Sequence, residues 1–322
     1  MLNSPKLLYY KILNFQHDNI GFLEQEFNVM KLESPEFDAD KDISDVEVCF
    51  APLGFHFDAE KMDLMPRLKV IASNTTSIPH IDYLAAIDRN INVVSLTHEI
   101  EFLKTITPTA EHTWGLMLSL IRNVQSSFQS VLSGEWSRWP FGAPKMLSRM
   151  TLGVVGMGRI GEIVARYGEA FGMNVFYYDP YVDHARAKRV NSIKELVRLS
   201  NVVSLHLHLN QETEGMFDKE VFKEFGENSY LINTSRGAIV NTDAMLDALN
   251  SGRLSGAAID VLDDEFEKDF DLSVKEHPLV QYALKNTNLL ITPHIAGSTV
   301  DAWYLTQRHT IECILKVLKS NG

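Results

Sequence analysis

Short apolar runs alternate along the chain with stretches in which apolar residues recur every three or four positions. That alternation predicts an α/β chain with parallel sheets. In the first hundred residues the strand candidates are Lys6–Tyr10, Glu47–Cys49, Val70–Ser73 and Asn92–Val94. Helices are expected around Asp18–Phe27, Glu60–Met65 and Ile81–Arg89. A long helix begins at Pro108, with Thr107 in the N-cap position and proline at the first helical position. Its segment Trp114–Ile121 is apolar on nearly all sides, which predicts burial between domains or between subunits. The polar stretch Gln125–Pro144 follows and carries Trp136 and Trp139. Two exposed tryptophans are uncommon, so this stretch is expected to pack on a partner subunit or on its own domain. A second α/β run fills Thr151 to about Thr299, and the helix Thr299–Lys319 closes the chain. A tail helix of this kind packs back across a boundary. The expected organisation is therefore a small discontinuous domain, residues 1–104 with 300–322, and a larger domain over 105–299.

Composition narrows the classes. The 322 residues are 45% hydrophobic and 22% charged, which excludes a disordered, collagen-like or coiled-coil chain. The net charge of −12 repels phosphate backbones, so nucleic acid is not an expected partner. The two cysteines, Cys49 and Cys313, belong to no CxxC or Cys/His ligand pattern, so neither a disulfide framework nor a bound metal is expected. No signal peptide and no run of 18 apolar residues is found, so the expectation is a cytoplasmic chain with no membrane partner.

The clearest chemistry lies after the apolar strand Thr151–Val155, which runs into Gly156-Met157-Gly158-Arg159-Ile160-Gly161. A helix follows, with Ile160, Ile163, Val164, Tyr167 and Phe171 on one face and Gly172 as its stop. The first glycine permits a tight turn, the second lets a pyrophosphate approach the backbone, and the third allows helix to pack closely on strand. The free N–H groups and partial positive charge of the helix N-terminus face the phosphates. Asp179 ends the next strand, Asn174–Tyr178, and lies 18 residues past Gly161. An acid there hydrogen-bonds a ribose 2′-hydroxyl and repels a 2′-phosphate, so the turn predicts NAD rather than NADP.

Three later strands end in polar groups. Ser229–Asn233 leads into Thr234-Ser235-Arg236-Gly237, Gly256–Leu262 contains Asp260 and leads into Asp263-Asp264-Glu265, and Asn288–Thr292 leads into Pro293-His294. Ligands of open α/β sheets bind beyond the carboxyl ends of the strands, so Arg236, Glu265 and His294 are expected to converge. Oxidation of a 2-hydroxy acid needs a base near neutrality, a carboxylate to orient it and a cation to hold the substrate carboxylate, and these three residue types supply them. Each also has a plain reading, as a turn histidine, a surface arginine or a solvated acidic loop. His112, His206 and His208 compete for the role of base, and the last two share a strand face.

Taken together, Ala110-Glu111-His112-Thr113, the Gly156–Gly161 turn, Tyr178-Asp179-Pro180-Tyr181, Asn233-Thr234-Ser235-Arg236-Gly237, Asp260-Val261 with Glu265, and Thr292-Pro293-His294-Ile295-Ala296-Gly297 resemble the D-isomer-specific 2-hydroxyacid dehydrogenases. The motifs occur in that family's order over residues 105–299, and the N-terminal third matches loosely. The resemblance implies an NAD-binding Rossmann domain beside a smaller flavodoxin-like substrate domain, both doubly wound parallel sheets. It implies that His294 is the acid/base, that Glu265 pairs with it, and that Arg236 binds the carboxylate and carbonyl of a small 2-hydroxy or 2-oxo acid. Thr75, Thr76 and Ser77 would form the second substrate loop. Gly156, Gly158, Arg159, Ile160, Gly161, Asp179, His206, Thr213, Thr234, Ser235 and Gly297 would line the cofactor site, with Asp260 on the nicotinamide carboxamide. The Thr107–Arg122 helix and the Trp136 arm would form a two-fold homodimer interface.

Several positions depart from the family pattern. Ser77 replaces a usual glycine, Leu262 and Phe266 replace Phe and Pro, and His208 replaces a Pro; about 28 residues separate Glu265 from His294, a long connection. The loop Phe50–Phe57 holds no Arg or Lys, which argues against a phosphorylated substrate, and no regulatory domain is expected after Lys319. Leu53, Phe55 and Phe57 point either to a substrate with an apolar part or to packing inside the small domain. The remaining alternatives are 3-phosphoglycerate as substrate, an NAD-sensing binding protein on the same fold, and formate oxidation, whose branch carries glutamine at the position of Glu265.

Overall fold

The apolar runs of the first hundred residues become the five strands β1 (Lys6–Tyr10), β2 (Asn28–Leu32), β3 (Val48–Phe50), β4 (Val70–Ala72) and β5 (Asn92–Val94). The computed structural model describes residues 4–183, 187–267 and 269–320. These five strands form one parallel sheet in the order β2-β1-β3-β4-β5, the flavodoxin-like order. Strand β2 escapes a periodicity search because it lies at the sheet edge and buries only Leu32. Helices α1 (His17–Glu26), α2 (Ala59–Asp63), α3 (Tyr83–Asp88) and α4 (Ile100–Leu103) connect this part of the chain.

The two faces of each central strand are apolar, as a covered parallel sheet requires. Leu8, Tyr10, Cys49 and Ile71 point into one core, and Leu7, Tyr9, Val48, Phe50 and Val70 into the other. The second core is completed by Ile311 and Ile314 from the final helix. One compact unit is therefore Met1–Ile106 with Thr299–Gly322, and the other is Thr107–Ser298.

The larger unit opens with α5 (Pro108–Ile121) and α6 (Val124–Leu132). Its seven strands are β6 (Thr151–Val155), β7 (Asn174–Tyr178), β8 (Lys188–Arg189), β9 (Val202–Leu205), β10 (Ser229–Asn233), β11 (Leu254–Ile259) and β12 (Leu289–Ile291). They run in the order β12-β11-β10-β9-β6-β7-β8, all parallel, with the order reversing between β6 and β9. This is the Rossmann arrangement, whose switch point is the place for a dinucleotide. Helices α7 (Arg159–Ala170), α8 (Ile193–Leu199), α9 (Lys219–Phe222), α10 (Thr242–Asn250), α11 (Phe270–Ser273) and α12 (Pro278–Ala283) follow, and α13 (Val300–Ser320) returns to the smaller unit.

Three expectations need correction. Helix α5 is buried as expected, but within one unit: Ala110, Trp114, Met117 and Leu120 lie in the core of the larger unit, with Leu152, Val154, Ile232 and Ala258 of its sheet. A Cβ at Gly256 would stand 3.0 Å from Leu120 Cδ1, so that glycine admits the helix. Thr107 does not cap α5 with its side chain; its hydroxyl donates instead to Glu111 Oε1 at 2.5 Å. The polar stretch after residue 123 is partly helical, and α6 places Val124, Phe128, Val131 and Leu132 on the surface. The same stretch leaves Trp136 91% and Trp139 78% exposed, so neither packs on its own domain. Phe57, by contrast, lies in the small core, whereas Leu53 is exposed.

Candidate active site

The glycine turn joins β6 to α7 at the switch point. Gly156 has φ +86°, and a Cβ there would lie 2.3 Å from the His206 carbonyl oxygen. A Cβ at Gly161 would lie 2.0 Å from the Gly156 carbonyl oxygen, so the helix is pressed onto the turn. Gly158 meets no atom within 4 Å. Its face is open, and as the N-cap of α7 it makes no side-chain cap hydrogen bond among the described residues. Open backbone and uncapped amides fit a pyrophosphate. Arg159 and Ile160 begin the helix, and burial lowers the guanidinium of Arg159.

Asp179 is buried at the end of β7. Its Oδ2 accepts from Met157 N in the glycine turn at 2.8 Å, and its Oδ1 accepts from Tyr181 N at 2.8 Å and Val182 N at 3.0 Å. The carboxylate therefore holds the glycine turn and the residues after β7 in shape.

Beyond β9, His206 and His208 do not share a strand face, because the strand ends at Leu205. The His206 ring makes a 2.8 Å hydrogen bond with Ser204 Oγ, and burial pushes its imidazole down to about 3. An imidazole lowered that far is too weak a base to take a proton near neutrality, so His206 does not compete for that role. Thr213 spends its hydroxyl on the His208 carbonyl at 2.7 Å and shapes that turn. Ser235 Oγ donates to the Leu205 carbonyl at 2.5 Å, and the Thr234 hydroxyl meets that of Thr113 at 2.8 Å. Gly297 has only Thr109 Oγ1 near its face, at 3.9 Å.

The catalytic candidates arise from three adjacent parallel strands. In register, Asn233 faces Ile259 and Ile259 faces Ile291, so the carboxyl ends of β10, β11 and β12 stand side by side. Arg236 follows the first. Asn233 Nδ2 donates to the Arg236 carbonyl at 2.9 Å. A Cβ on Gly237 would lie 2.2 Å from the Leu262 carbonyl carbon, so this turn rests directly on the loop after β11. Burial lowers the Arg236 guanidinium, and the Glu265 carboxylate works against that shift. Glu265 Oε1 stands 2.8 Å from His294 Nδ1, a buried nitrogen with no hydrogen-bond partner beyond this ion-pair contact among the described residues. The Phe266 ring lies 5.5 Å from the imidazole, centroid to centroid, so the residue that departs from the family pattern is packed on the proposed base.

Asp260 sits one residue past β11 and is 1% exposed. Its carboxylate accepts from Ile295 N at 3.0 Å, Ala296 N at 2.7 Å and Thr292 Oγ1 at 2.5 Å. His112 Nε2 reaches Thr292 Oγ1 at 3.0 Å and stands 3.5 Å from Asp260. This network grips the His294 loop, and Thr292, though inside a quoted motif, was assigned no role by the sequence. Replacing Asp260 by alanine strands two amides and a hydroxyl; at about 1–3 kcal/mol for a buried donor left unmade, the larger unit should lose about 3 kcal/mol in urea unfolding. A loss under about 1 kcal/mol would mean the loop stands without its clamp.

In the smaller unit, the turn after β4 holds Thr75, Thr76 and Ser77. Thr75 Oγ1 donates to the Ser77 carbonyl at 2.7 Å, Leu96 N donates to the Thr75 carbonyl at 3.0 Å, and Thr97 Oγ1 donates to the Thr76 carbonyl at 3.1 Å.

Comparison with known proteins identifies the family. The family described as "D-isomer specific 2-hydroxyacid dehydrogenase, NAD binding domain" matches residues 114–296. The chain belongs to the D-isomer specific 2-hydroxyacid dehydrogenases. Its match to a D-3-phosphoglycerate dehydrogenase of Bacillus subtilis is 32% identical over 79% of this chain and 46% of that protein. The chain thus spans about half the length of the phosphoglycerate dehydrogenases it resembles first. A glyoxylate reductase of Thermofilum pendens is 29% identical, over 98% of this chain and 92% of that one. The crystal structure of D-lactate dehydrogenase from Aquifex aeolicus, complexed with NAD and lactic acid, superposes with a TM-score of 0.81 at 27% identity, covering 98% of this chain and 96% of that one. The larger unit is therefore the family's NAD-binding domain. No helix among the described residues is long and apolar enough to cross a membrane.

Proposed function

We propose that this chain is an NAD-dependent oxidoreductase that interconverts a small D-2-hydroxy acid and its 2-oxo acid. The observation that carries the reading is the 2.8 Å approach of Glu265 to His294, with the half-buried Arg236 guanidinium in reach of the Glu265 charge. NAD, when bound, supplies the hydride acceptor. Gly156, Gly158, Arg159, Ile160 and Gly161 would hold its pyrophosphate, Asp179 its ribose, and His206, Thr213, Thr234, Ser235, Asp260 and Gly297 would line the rest of its site. In oxidation, His294 takes the hydroxyl proton while Glu265 orients the ring and stabilises the imidazolium. In reduction, His294 returns the proton and Arg236 polarises the carbonyl. The smaller unit is the substrate domain on this reading, contributing Thr75, Thr76 and Ser77. A panel of 2-oxo acids with NADH tests the assignment. Tight NADH binding with no turnover on any acid would replace it with the sensing role.

Asp179→Ala should relax the preference for NAD over NADP, because the anion that repels a 2′-phosphate is gone. An unchanged cofactor ratio would show that another residue reads the ribose.

A second reading takes 3-phosphoglycerate as substrate, and the names of the similar phosphoglycerate dehydrogenases favour it. Against it, Phe50–Phe57 carries no cation for the phosphate. Comparing kcat/KM for 3-phosphohydroxypyruvate with that for pyruvate and glyoxylate separates the two.

We also infer a homodimer formed through α6 and the Trp136–Trp139 arm, since apolar surface of this extent is normally covered. Sedimentation at the mass of a single chain would sink that assignment. Cys49 and Cys313 are free thiols, which suits a reducing cytoplasm, checked by cell fractionation.

A further inference from the structure

The smaller unit carries a second cluster of chemistry that the proposed reaction does not use. Glu99 stands at the N-cap of α4, and His309 and Cys313 lie on α13. Their spacing of four puts the imidazole and the thiol on one face of that helix. Glu99 Oε2 is 2.7 Å from His309 Nε2, and one donor atom from each of the three residues lies within 4.8 Å of the others. The ring of Phe102 stacks flat on the imidazole, with centroids 3.9 Å apart and planes 3° from parallel. Leu96, Leu103, Ile106 and Ala302 form a small apolar cluster with Phe102 beside it. The three donor groups are half-buried.

We propose that Glu99, His309 and Cys313 form a binding site for a thiophilic divalent cation, with zinc as the ligand of best fit. The donor set decides the metal. One thiolate, one imidazole and one carboxylate match the borderline preference of zinc, whereas calcium and magnesium take oxygen alone. A tetrahedral zinc with bonds of about 2.0–2.3 Å places its ligands roughly 3.5 Å apart. The donor atoms already lie within 4.8 Å of one another, so that spacing asks the glutamate and imidazole to part from 2.7 Å and the thiol to close in. Water takes the fourth position, and the thiol proton leaves to solvent as the Zn–S bond forms. The stacked Phe102 limits rotation of the ring, which is how an outer shell orients a ligating histidine. Glu99 precedes the segment by which the chain leaves the smaller unit, and His309 and Cys313 follow the segment by which it returns. A bound ion therefore fastens these two segments to each other inside that unit.

The site is independent of the hydride-transfer reading, and its test does not read turnover. The full chain, stripped with chelator, is titrated with cobalt as the probe and then with zinc. The expected result is one equivalent of metal with a thiolate-to-cobalt charge-transfer band, displaced by zinc. Cys313→Ala should abolish the band and weaken zinc binding at least about a hundredfold, since loss of a mere supporting contact already costs about 10–100-fold. Glu99→Gln should keep the band and weaken binding. Thermal unfolding of the metal-free variants checks that each is folded, and Cys313→Ser serves if the alanine variant is not. A band that persists in Cys313→Ala would place the metal on Cys49. Absence of the band in the parent chain, or equal zinc affinity in the parent and both variants, would reduce the cluster to an ion pair beside an unrelated thiol.

Discussion

Replacing His294 is expected to cost at least about a hundredfold in turnover, the lower end of what a positioned acid/base contributes, while NADH affinity is retained. The choice of substitute matters because His294 has φ +51°, a left-handed backbone that L residues adopt at a cost of about 1–2 kcal/mol. Its amide is held by the Asp260 carbonyl at 2.9 Å and the Thr292 carbonyl at 3.0 Å, and the Asp260 carboxylate ties down the next two residues. The surrounding structure thus fixes a backbone that the histidine alone would not choose, and strain of this kind collects at functional sites. Asparagine tolerates the left-handed region, so His294→Asn removes the imidazole with little change in the loop. His294→Ala and His294→Asn should therefore fall together in kcat. Near-normal turnover in the asparagine variant would end the assignment of His294 as the acid/base, whatever the alanine variant did.

The second large effect is expected at Arg236. Lysine there keeps the charge and loses the planar fork that grips a carboxylate through two parallel hydrogen bonds. Arg236→Lys should lower kcat/KM for the 2-oxo acid by about 10²–10³, the range for a lost charge-stabilising donor, and Arg236→Ala by more. The loop should survive both changes, because its path is set by the Asn233 side chain on the Arg236 carbonyl and by the close approach of Gly237 to Leu262. NADH binding is the control and should be unchanged. If Arg236→Lys keeps the parent KM and kcat, the substrate carboxylate is held elsewhere and the site must be redrawn.

Much of this molecule is legible in its residues, and the legible parts share a cause. Strands β1, β7 and β10 have the bounds expected from their apolar runs, and β1 and β10 are buried over most of their length, where polar side chains find little room. The glycine turn is legible because its demands are local. Gly156 needs a positive φ, Gly161 needs contact with a carbonyl, and Gly158 must leave its face open. Strand β2 is not legible, since an edge strand buries too little to show a pattern. Helix α6 carried a signal that its polar residues obscured, with Val124, Phe128, Val131 and Leu132 at helical spacing.

By itself the sequence determined the two βα runs, the dinucleotide turn and the residue types for hydride chemistry, because each depends on neighbours within a few positions. Only the tertiary structure decided that Arg236, Glu265 and His294 end three adjacent strands, since strand order is a property of the sheet and not of any one strand. It alone turned α5 inward onto the sheet, removed His206 from the competition by lowering its basicity, and made Asp260 the clamp of the His294 loop. It also brought Glu99 to His309 and Cys313 across some two hundred positions. Such contacts join groups distant along the chain, and local pattern holds no record of them.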